Sequence, residues 1–423
     1  MKAFLRSTFQ QFRILNRPAW LFLVALFFNG LLFSGWSLFF NLFIIDAGHS
    51  RDFLGLANAA PSFSALLMGV PMGLLSDRMG RKSAMMIGFA LSSFSAIGMV
   101  LAHTETWIIV FAILYGITGQ LYFISQAPFM MRVSDDHTRD VLFSLSFGMF
   151  PLASTLGNFL SGYLPGMFTH WFGLTTPLSA YKAVLLFSVL SSFVVLLPIA
   201  FIHEHKPGAE EIAAEQNAPK VSIWKAILRP QTLKLSLPNL VIGFGAAMLV
   251  PYFNVFFAEK HQMSDASLGI LFSVGSLATA IGCLIGPRLV GRLGGKVRTV
   301  VLFQTVSLVF LLATGFSPWL WLAALGYLVR GALMNMVAPL FDAYALEQSP
   351  KTEHGAVNSL RNLAWNVGWA VGPGISGFIQ QRWGYTPLFI NTAILYAVGN
   401  VLIWFFFRPK NSPASVGVQT PAN

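Results

Sequence analysis

Gly73-Leu-Leu-Ser-Asp-Arg-Met-Gly-Arg-Lys82 is a charged turn between two long apolar runs, and a worn copy returns 214 positions later at Gly291–Lys296. A soluble domain has no use for that arrangement. It describes a duplicated membrane bundle whose short loops carry a switch. Apolar runs lie near 20–45, 53–75, 84–102, 107–131, 141–163, 182–202, 235–258, 267–287, 299–317, 319–345, 357–379 and 386–407. Each is about the 20 residues that cross ~30 Å of hydrocarbon, so twelve spans are predicted. The Gly and Pro within them do not argue against helices, because neighbouring helices can satisfy the freed backbone groups.

Composition agrees. Of 423 residues, 55% are hydrophobic and 10% charged, with a mean hydropathy of +0.65, which would precipitate a soluble globule. A net charge of +11 would suggest nucleic acid in a soluble protein. Here its placement points to the membrane: with the N-terminus cytoplasmic, 21 of the 27 Lys and Arg fall in inner segments, and the outer loops hold only Arg51, Lys182, Lys260 and Arg382. By the positive-inside rule both termini are expected in the cytoplasm of a cell carrying this chain in its plasma membrane. Cys283, the only cysteine, falls in the eighth run, so no disulfide forms within the chain. The first 19 residues alternate apolar and basic types and are expected on the inner surface; no signal-peptide cleavage site is evident.

The two halves match in register. Gly30 and Phe40-Asn41 match Gly243 and Phe253-Asn254 at a shift of 213, and Leu54-Gly55, Arg78, Gly80 and Lys82 match Leu268-Gly269, Arg292, Gly294 and Lys296 at 214. Gly116, Gly157 and Ser161-Gly162 match Gly331, Gly372 and Ser376-Gly377 at 215. A repeat of six spans re-enters the membrane in the same orientation. Its halves are therefore related by an axis along the membrane normal, and such halves place a substrate site between them near the midplane.

Over its whole length the chain resembles the major facilitator superfamily. Twelve spans arranged six plus six, a central loop and the Gly73–Lys82 signature carry that resemblance. It implies an all-α membrane protein made of two pseudo-symmetric six-helix bundles, 20–202 and 235–407. A basic segment (1–19) precedes them, a cytoplasmic loop (203–234) joins them, and a cytoplasmic tail (408–423) follows. It also implies transport of a small-molecule substrate by a monomer, with protons as a candidate coupling ion and no cofactor or metal. Gly368, Gly372, Pro373, Gly374 and Gly377 resemble a glycine-proline motif that exporters usually carry in the fifth span; there this chain has Asn158 in place of the proline. Ala112 stands where proton-coupled members commonly have an arginine.

Candidate site residues follow from position and cost. In the signature, Gly73, Asp77, Arg78, Gly80, Arg81 and Lys82 are expected to gate. Asp77 is placed to meet the positive dipole end of the eleventh helix when the inner side closes, and Gly291 replaces the acid in the second copy. Polar residues in the spans are costly in lipid and are expected to face the bundle interior. Gly30, Ser34, Ser37 and Asn41 share one helix face, as do Tyr115, Gly119, Tyr122 and Gln126. With Asn29, Asn254, Asn335, Trp365, Asn366 and Trp369 they are candidates for a cavity lining, helix packing being the competing explanation. Arg330 sits mid-span, where an arginine costs about 2.5–3.5 kcal/mol, and is a candidate to meet an anionic substrate group or to be captured by backbone carbonyls and Asn335. Asp342 is placed to pair with Arg361, and Asp342 and Asp46 are the gate or proton candidates.

Three functions compete: a secondary transporter of a small organic, partly aromatic or amphipathic solute, with export as one direction; organic-anion uptake or exchange; and a membrane enzyme or a bundle that only senses ligand. The chain has no His-Glu-x-x-His, no Gly-x-Ser-x-Gly and no Walker loop, Val290 and Val297 standing where a Walker glycine and Ser/Thr belong. An enzyme is therefore not expected, and any driving force is a gradient.

Overall fold

A computed structural model describes residues 15–135, 138–203, 229–350 and 353–408. The N-terminal segment to residue 14, most of the expected central loop (204–228) and the tail from 409 lie outside the described residues. The chain forms α1 (Arg17–Asp46), α2 (Arg51–Met79), α3 (Arg81–Leu101), α4 (Glu105–Val133), α5 (Arg139–Phe172) and α6 (Pro177–Ser192, continued by a 3-10 turn to Leu196–Ala200). After the central loop come α7 (Pro230–Leu249, a 3-10 turn at Val250–Tyr252, then Phe253–Lys260), α8 (Asp265–Leu289), α9 (Lys296–Phe316), α10 (Leu320–Glu347), α11 (His354–Trp383) and α12 (Thr386–Phe407).

The signature turn and the ends of α1 and α12 nearest the termini mark one end of the bundle, called the loop end below. At the opposite, far end, four of the six hairpins are tight because a Ser or Thr caps the next helix at once. Ser50 accepts from the Phe53 amide, Thr176 from Ser179 and Ser264 from Ser267. At the loop end Gly80 (φ +85) and its repeat partner Gly294 (φ +77) turn the chain through a conformation that a side chain would strain.

Eleven of the described helices are long and apolar enough to cross a membrane. The twelfth, α11, has 30 residues and ample length but carries Asn358, Arg361, Asn362 and Asn366. Its polarity follows from where it stands, because it borders the space between the lobes. Within the first six helices α1 packs on α5 and α6, and α4 on α2 and α3. Within the last six α7 packs on α11 and α12, and α10 on α8 and α9. The two sets meet through α2 against α11 and α5 against α8, pairs that the repeat interchanges.

Candidate functional site

The far end is sealed by contacts that obey the repeat. A Cβ built on Gly55 would lie 2.6 Å from the Pro373 carbonyl and 2.9 Å from Gly377 Cα; one on Gly162 would lie 2.7 Å from Gly269 Cα and 2.9 Å from the Asp265 carbonyl. Gly55 and Gly269 are repeat partners, as are Gly162 and Gly377, so both seams close by the same backbone approach. Between them lies an amide clasp. Asn41 donates to the Pro251 carbonyl at 2.6 Å and to Asn254 Oδ1 at 3.2 Å, while Asn254 donates to the Leu38 carbonyl at 2.9 Å. Leu38 and Pro251 are separated by the same 213 positions as Asn41 and Asn254, so each lobe grips the other identically. Asn41 and Asn254 are 4% and 1% exposed, and Asn58 donates to Asn41 Oδ1 at 3.0 Å. Satisfied on several sides, the clasp carries no desolvation penalty of the kind an unpaired buried amide would.

Outside the clasp, the rim is ionic. Arg51 pairs with Glu259 at 2.7 Å, and Tyr385 accepts from Arg51 at 2.8 Å and donates to Glu259 at 3.0 Å. Burial pushes the Tyr385 phenol up, which keeps its proton in place as that bridge. Arg382 meets Asp52 at 3.3 Å, and Tyr181 donates to Asp265 at 2.9 Å. Asp46 lies exposed beside this rim, within electrostatic range of Glu259 and Asp265. Partly exposed pairs of this kind contribute about 1 kcal/mol or less. Arg51→Gln is accordingly expected to raise the labelling rate of a far-end cysteine by no more than about fivefold. A rise well above tenfold would make the ionic rim, and not the clasp, the main seal.

Inter-lobe contact runs inward as far as Ser273 to the Thr155 carbonyl (2.7 Å) and Asn158 to Ser276 (3.1 Å), and to Ala59 beside Gly374. On α11, Gly368 and Gly372 face α7 while Pro373 and Gly377 face α2. At 100° per residue, the arc between those faces holds Asn358, Asn362, Trp365 and Trp369, and Asn366 lies on the α2 side of it. The three asparagines are exposed, Trp365 is 37% exposed and Trp369 half-buried, with the two rings 6.4 Å apart. Asn335 is exposed on α10 and bonds its own helix at Gly331. These residues give α10 and α11 an accessible surface of amides and indoles on the loop-end side of the inter-lobe contacts.

Other candidates sit elsewhere. Gly30 and Ser34 pack on α5, with Gly30 against Phe150 and Ala153 and Ser34 against Gly157, so of the α1 stripe only Ser37 is exposed. On α4, Tyr122 is 7% exposed and lies edge-on to Phe89 at 5.1 Å, while Gly119 faces Ser92; this part of the stripe serves the α3–α4 contact. Gln126 is half-buried, and Asn29 and Tyr115 line a small cavity inside the first lobe.

Arg330 is 6% exposed and donates to the Tyr396 hydroxyl at 2.5 Å, with Phe253 and Tyr396 rings 5.6 and 5.5 Å from its guanidinium carbon. The captor is thus aromatic, drawn from α7 and α12, whereas Asn335 bonds its own helix. Cation–π attraction strengthens when water is removed, which is why this arrangement suits a buried arginine with no acid beside it. Arg361 is 2% exposed, pairs with Asp342 at 2.6 Å, and has Asn239 at 3.5 Å and the Phe341 ring at 5.0 Å.

In the signature, Asp77 pairs with Arg81, whose other nitrogen donates to Ser76 at 3.0 Å; Ser76 in turn shares a 2.6 Å bond with Ser125. Lys82 donates to the Ala200 carbonyl at 2.6 Å, and Gly73 lies beside Ile124. Arg78 is exposed in the last turn of α2. Asp77 remains 56% exposed, and α11 begins at His354 without a side-chain cap.

Two six-helix sets related by an internal repeat and sealed against each other at one end have the architecture of a secondary transporter of small solutes. The chain belongs to the Major Facilitator Superfamily, whose family model matches residues 22–325 and 235–422. It is similar to the multi-drug resistance efflux pump PmrA of Streptococcus pneumoniae serotype 4, with 25% identity over 364 residues that cover 84% of this chain and 86% of that one. It is also similar to YhhS, an MFS-type transporter of Escherichia coli K12, with 23% identity over 371 residues, 86% and 85% of the two chains. Among solved structures, a bacterial homologue of the human lysosomal transporter Spinster, inward-facing and unoccupied, matches with a TM-score of 0.72 and 13% identity over 92% of this chain and 96% of that one. The nucleoside transporter NupG matches at 0.70 and 13%, over 93% and 100%. At such identities the two structures speak for the fold alone.

Proposed function

We propose that the protein exports a small organic, partly aromatic solute by alternating access, driven by a proton gradient, as a monomer in the plasma membrane with both termini cytoplasmic. The observation that carries this reading is the reciprocal Asn41–Asn254 clasp, which closes one end while the amide and indole face of α11 stays accessible on the loop-end side. The bias of Lys and Arg supports assigning the loop end to the cytoplasm. Similarity to an efflux pump over most of both chains supports export. The organic-anion reading loses its support, because Arg330 faces Phe253 and Tyr396 and not that accessible surface. Asp342 and Asp46 are the proposed proton carriers.

When the loop end closes, Asp77 is proposed to leave Arg81 and cap the free amides at the start of α11, where the helix dipole favours a carboxylate by about 0.3–1 kcal/mol or more. Asp77→Asn should therefore slow transport several-fold while insertion and yield stay normal; an unchanged rate would remove Asp77 from the gate. The proposed function itself is tested with purified protein in liposomes, offered lipophilic cations and mixed metabolites with and without a proton gradient. Gradient-dependent accumulation of an organic solute supports it, and absence of flux for every class refutes it.

A further inference from the structure

The first lobe contains a cavity of about 60 Å³ between α1, α3, α4 and α6. The rings of Trp36, Phe89 and Tyr115, the hydroxyls of Ser92, Ser93, Ser188 and Ser192, and the Asn29 amide at one edge line it. Two of these hydroxyl protons are already committed: Ser92 donates to the Phe89 carbonyl at 2.9 Å and Ser192 to the Val189 carbonyl at 2.7 Å. What these oxygens can still offer is lone pairs, and the rings offer their negative faces. No acidic or basic residue lines the cavity.

The second lobe carries different side chains at the corresponding positions. By the repeat, Ser92 corresponds to Val306 at a shift of 214. Ser188 and Ser192 correspond to Val398 and Leu402 at 210, the shift that aligns Thr176-Pro177-Leu178 with Thr386-Pro387-Leu388. Trp36 corresponds to Leu249 and Tyr115 to Arg330. There the hydroxyls are replaced by hydrocarbon, and the lobe supplies its own cation: Arg330 lies over Phe253, the counterpart of Phe40. In the first lobe Phe40 carries Trp36, stacked at 4.7 Å, and Trp36 lies 6.2 Å from Tyr115. The aromatic nest is kept, the internal cation is absent, and acceptor oxygens take the place of aliphatic filler.

We propose that this recess is a binding subsite for the ammonium or other N–H-bearing head of an organic cation, the rest of the solute lying outward past Phe33. Phe33 lines the recess and is 38% exposed on α1, one helical turn from the exposed Ser37. The proposal rests on the transporter reading for the identity of the ligand as cargo; the recess and its chemistry do not.

The test uses the full-length protein in detergent and three probes of one shape: benzylammonium, benzyl alcohol and benzoate, titrated by calorimetry. Benzylammonium is expected to bind at least about tenfold more tightly than either of the others. Ser92→Val combined with Ser188→Val, which installs the second lobe's own residues, should weaken it about tenfold with far-end cysteine protection unchanged. Should that variant fail to fold, Trp36→Phe reports instead: the benzylammonium-dependent quench of tryptophan fluorescence should disappear. Equal or tighter binding of benzoate or benzyl alcohol, an unweakened valine variant, a quench that survives Trp36→Phe, or no binding of any probe would overturn the proposal. Binding that passes these tests in a protein with no liposome flux would leave the subsite standing and sink the transport reading.

Discussion

Gly162→Val and Gly55→Val are each expected to hold the far end open and to cut transport by at least about tenfold. The atoms that a new Cβ would meet are backbone: Gly269 Cα and the Asp265 carbonyl for one, the Pro373 carbonyl and Gly377 Cα for the other. Backbone cannot rotate out of the way as a side-chain tip can, so the helices must part. Forcing extra methyl groups into a closed contact typically costs about 1–3 kcal/mol. In a two-state carrier that cost falls only on the far-closed state, so about 1.4 kcal/mol already shifts the balance tenfold. Folding of each lobe should be spared, because these contacts lie between lobes. Nitroxide labels at Ala47 and Gln262, in a Cys283→Ala background, read the outcome as a longer far-end distance. A wild-type distance with wild-type flux would show that the glycine seams are not what limits closure.

Asp342→Asn is expected to destabilise the second lobe by about 1.5–3 kcal/mol, the range for losing a hydrogen bond to a charged group. Arg361 is nearly inaccessible and would keep its charge beside a neutral amide, Asn239 and the Phe341 ring, with the carboxylate charge gone. The lower part of that range applies, since the Asp342 side chain is 61% exposed and water moderates the loss. Removing both partners should be gentler than removing one: Asp342→Leu with Arg361→Met replaces an ion pair by hydrocarbon and should recover most of the thermal stability. That double variant also separates two roles. A proton carrier lost with Asp342 would abolish gradient-driven flux even in the stable variant, whereas a purely structural pair would leave it.

Much of the architecture was legible because bilayer and repeat leave few options. Apolar runs of the required length gave the spans, and the helices extend them by only a few residues at most ends. At α5 the helix continues nine residues past the apolar run, to Phe172, through Pro165 and Gly166, which read as a helix end in sequence although the residues beyond them are largely apolar. Neighbours were harder to read. The four-three-four spacing of Gly30, Ser34, Ser37 and Asn41 identifies a shared face, yet a cavity and a packed partner impose the same spacing. The partner proved to be α5 at Gly30 and Ser34 and the opposite lobe at Asn41, with Ser37 left exposed.

The equivalence of Asn41 with Asn254, and of Gly55 with Gly269, was visible as a repeat. That they meet across it depends on how the lobes dock, which no single-chain period records. Arg330 makes the same point: its cost in the membrane was plain, but Tyr396 lies 66 residues away on another helix. The Arg361–Asp342 pair, 19 residues apart on adjacent helices, was within reach of position alone.

The most direct test of the account joins the lobes at the sealed end. Arg51→Cys and Gln381→Cys, placed where the Arg51 amide donates to Gln381 at 2.9 Å, can be linked by a short reducible thiol-reactive bridge in the Cys283→Ala protein. Flux in liposomes should fall to background on bridging and return on reduction. Full flux through the bridged protein would contradict it, since a carrier whose far end never opens has no second door.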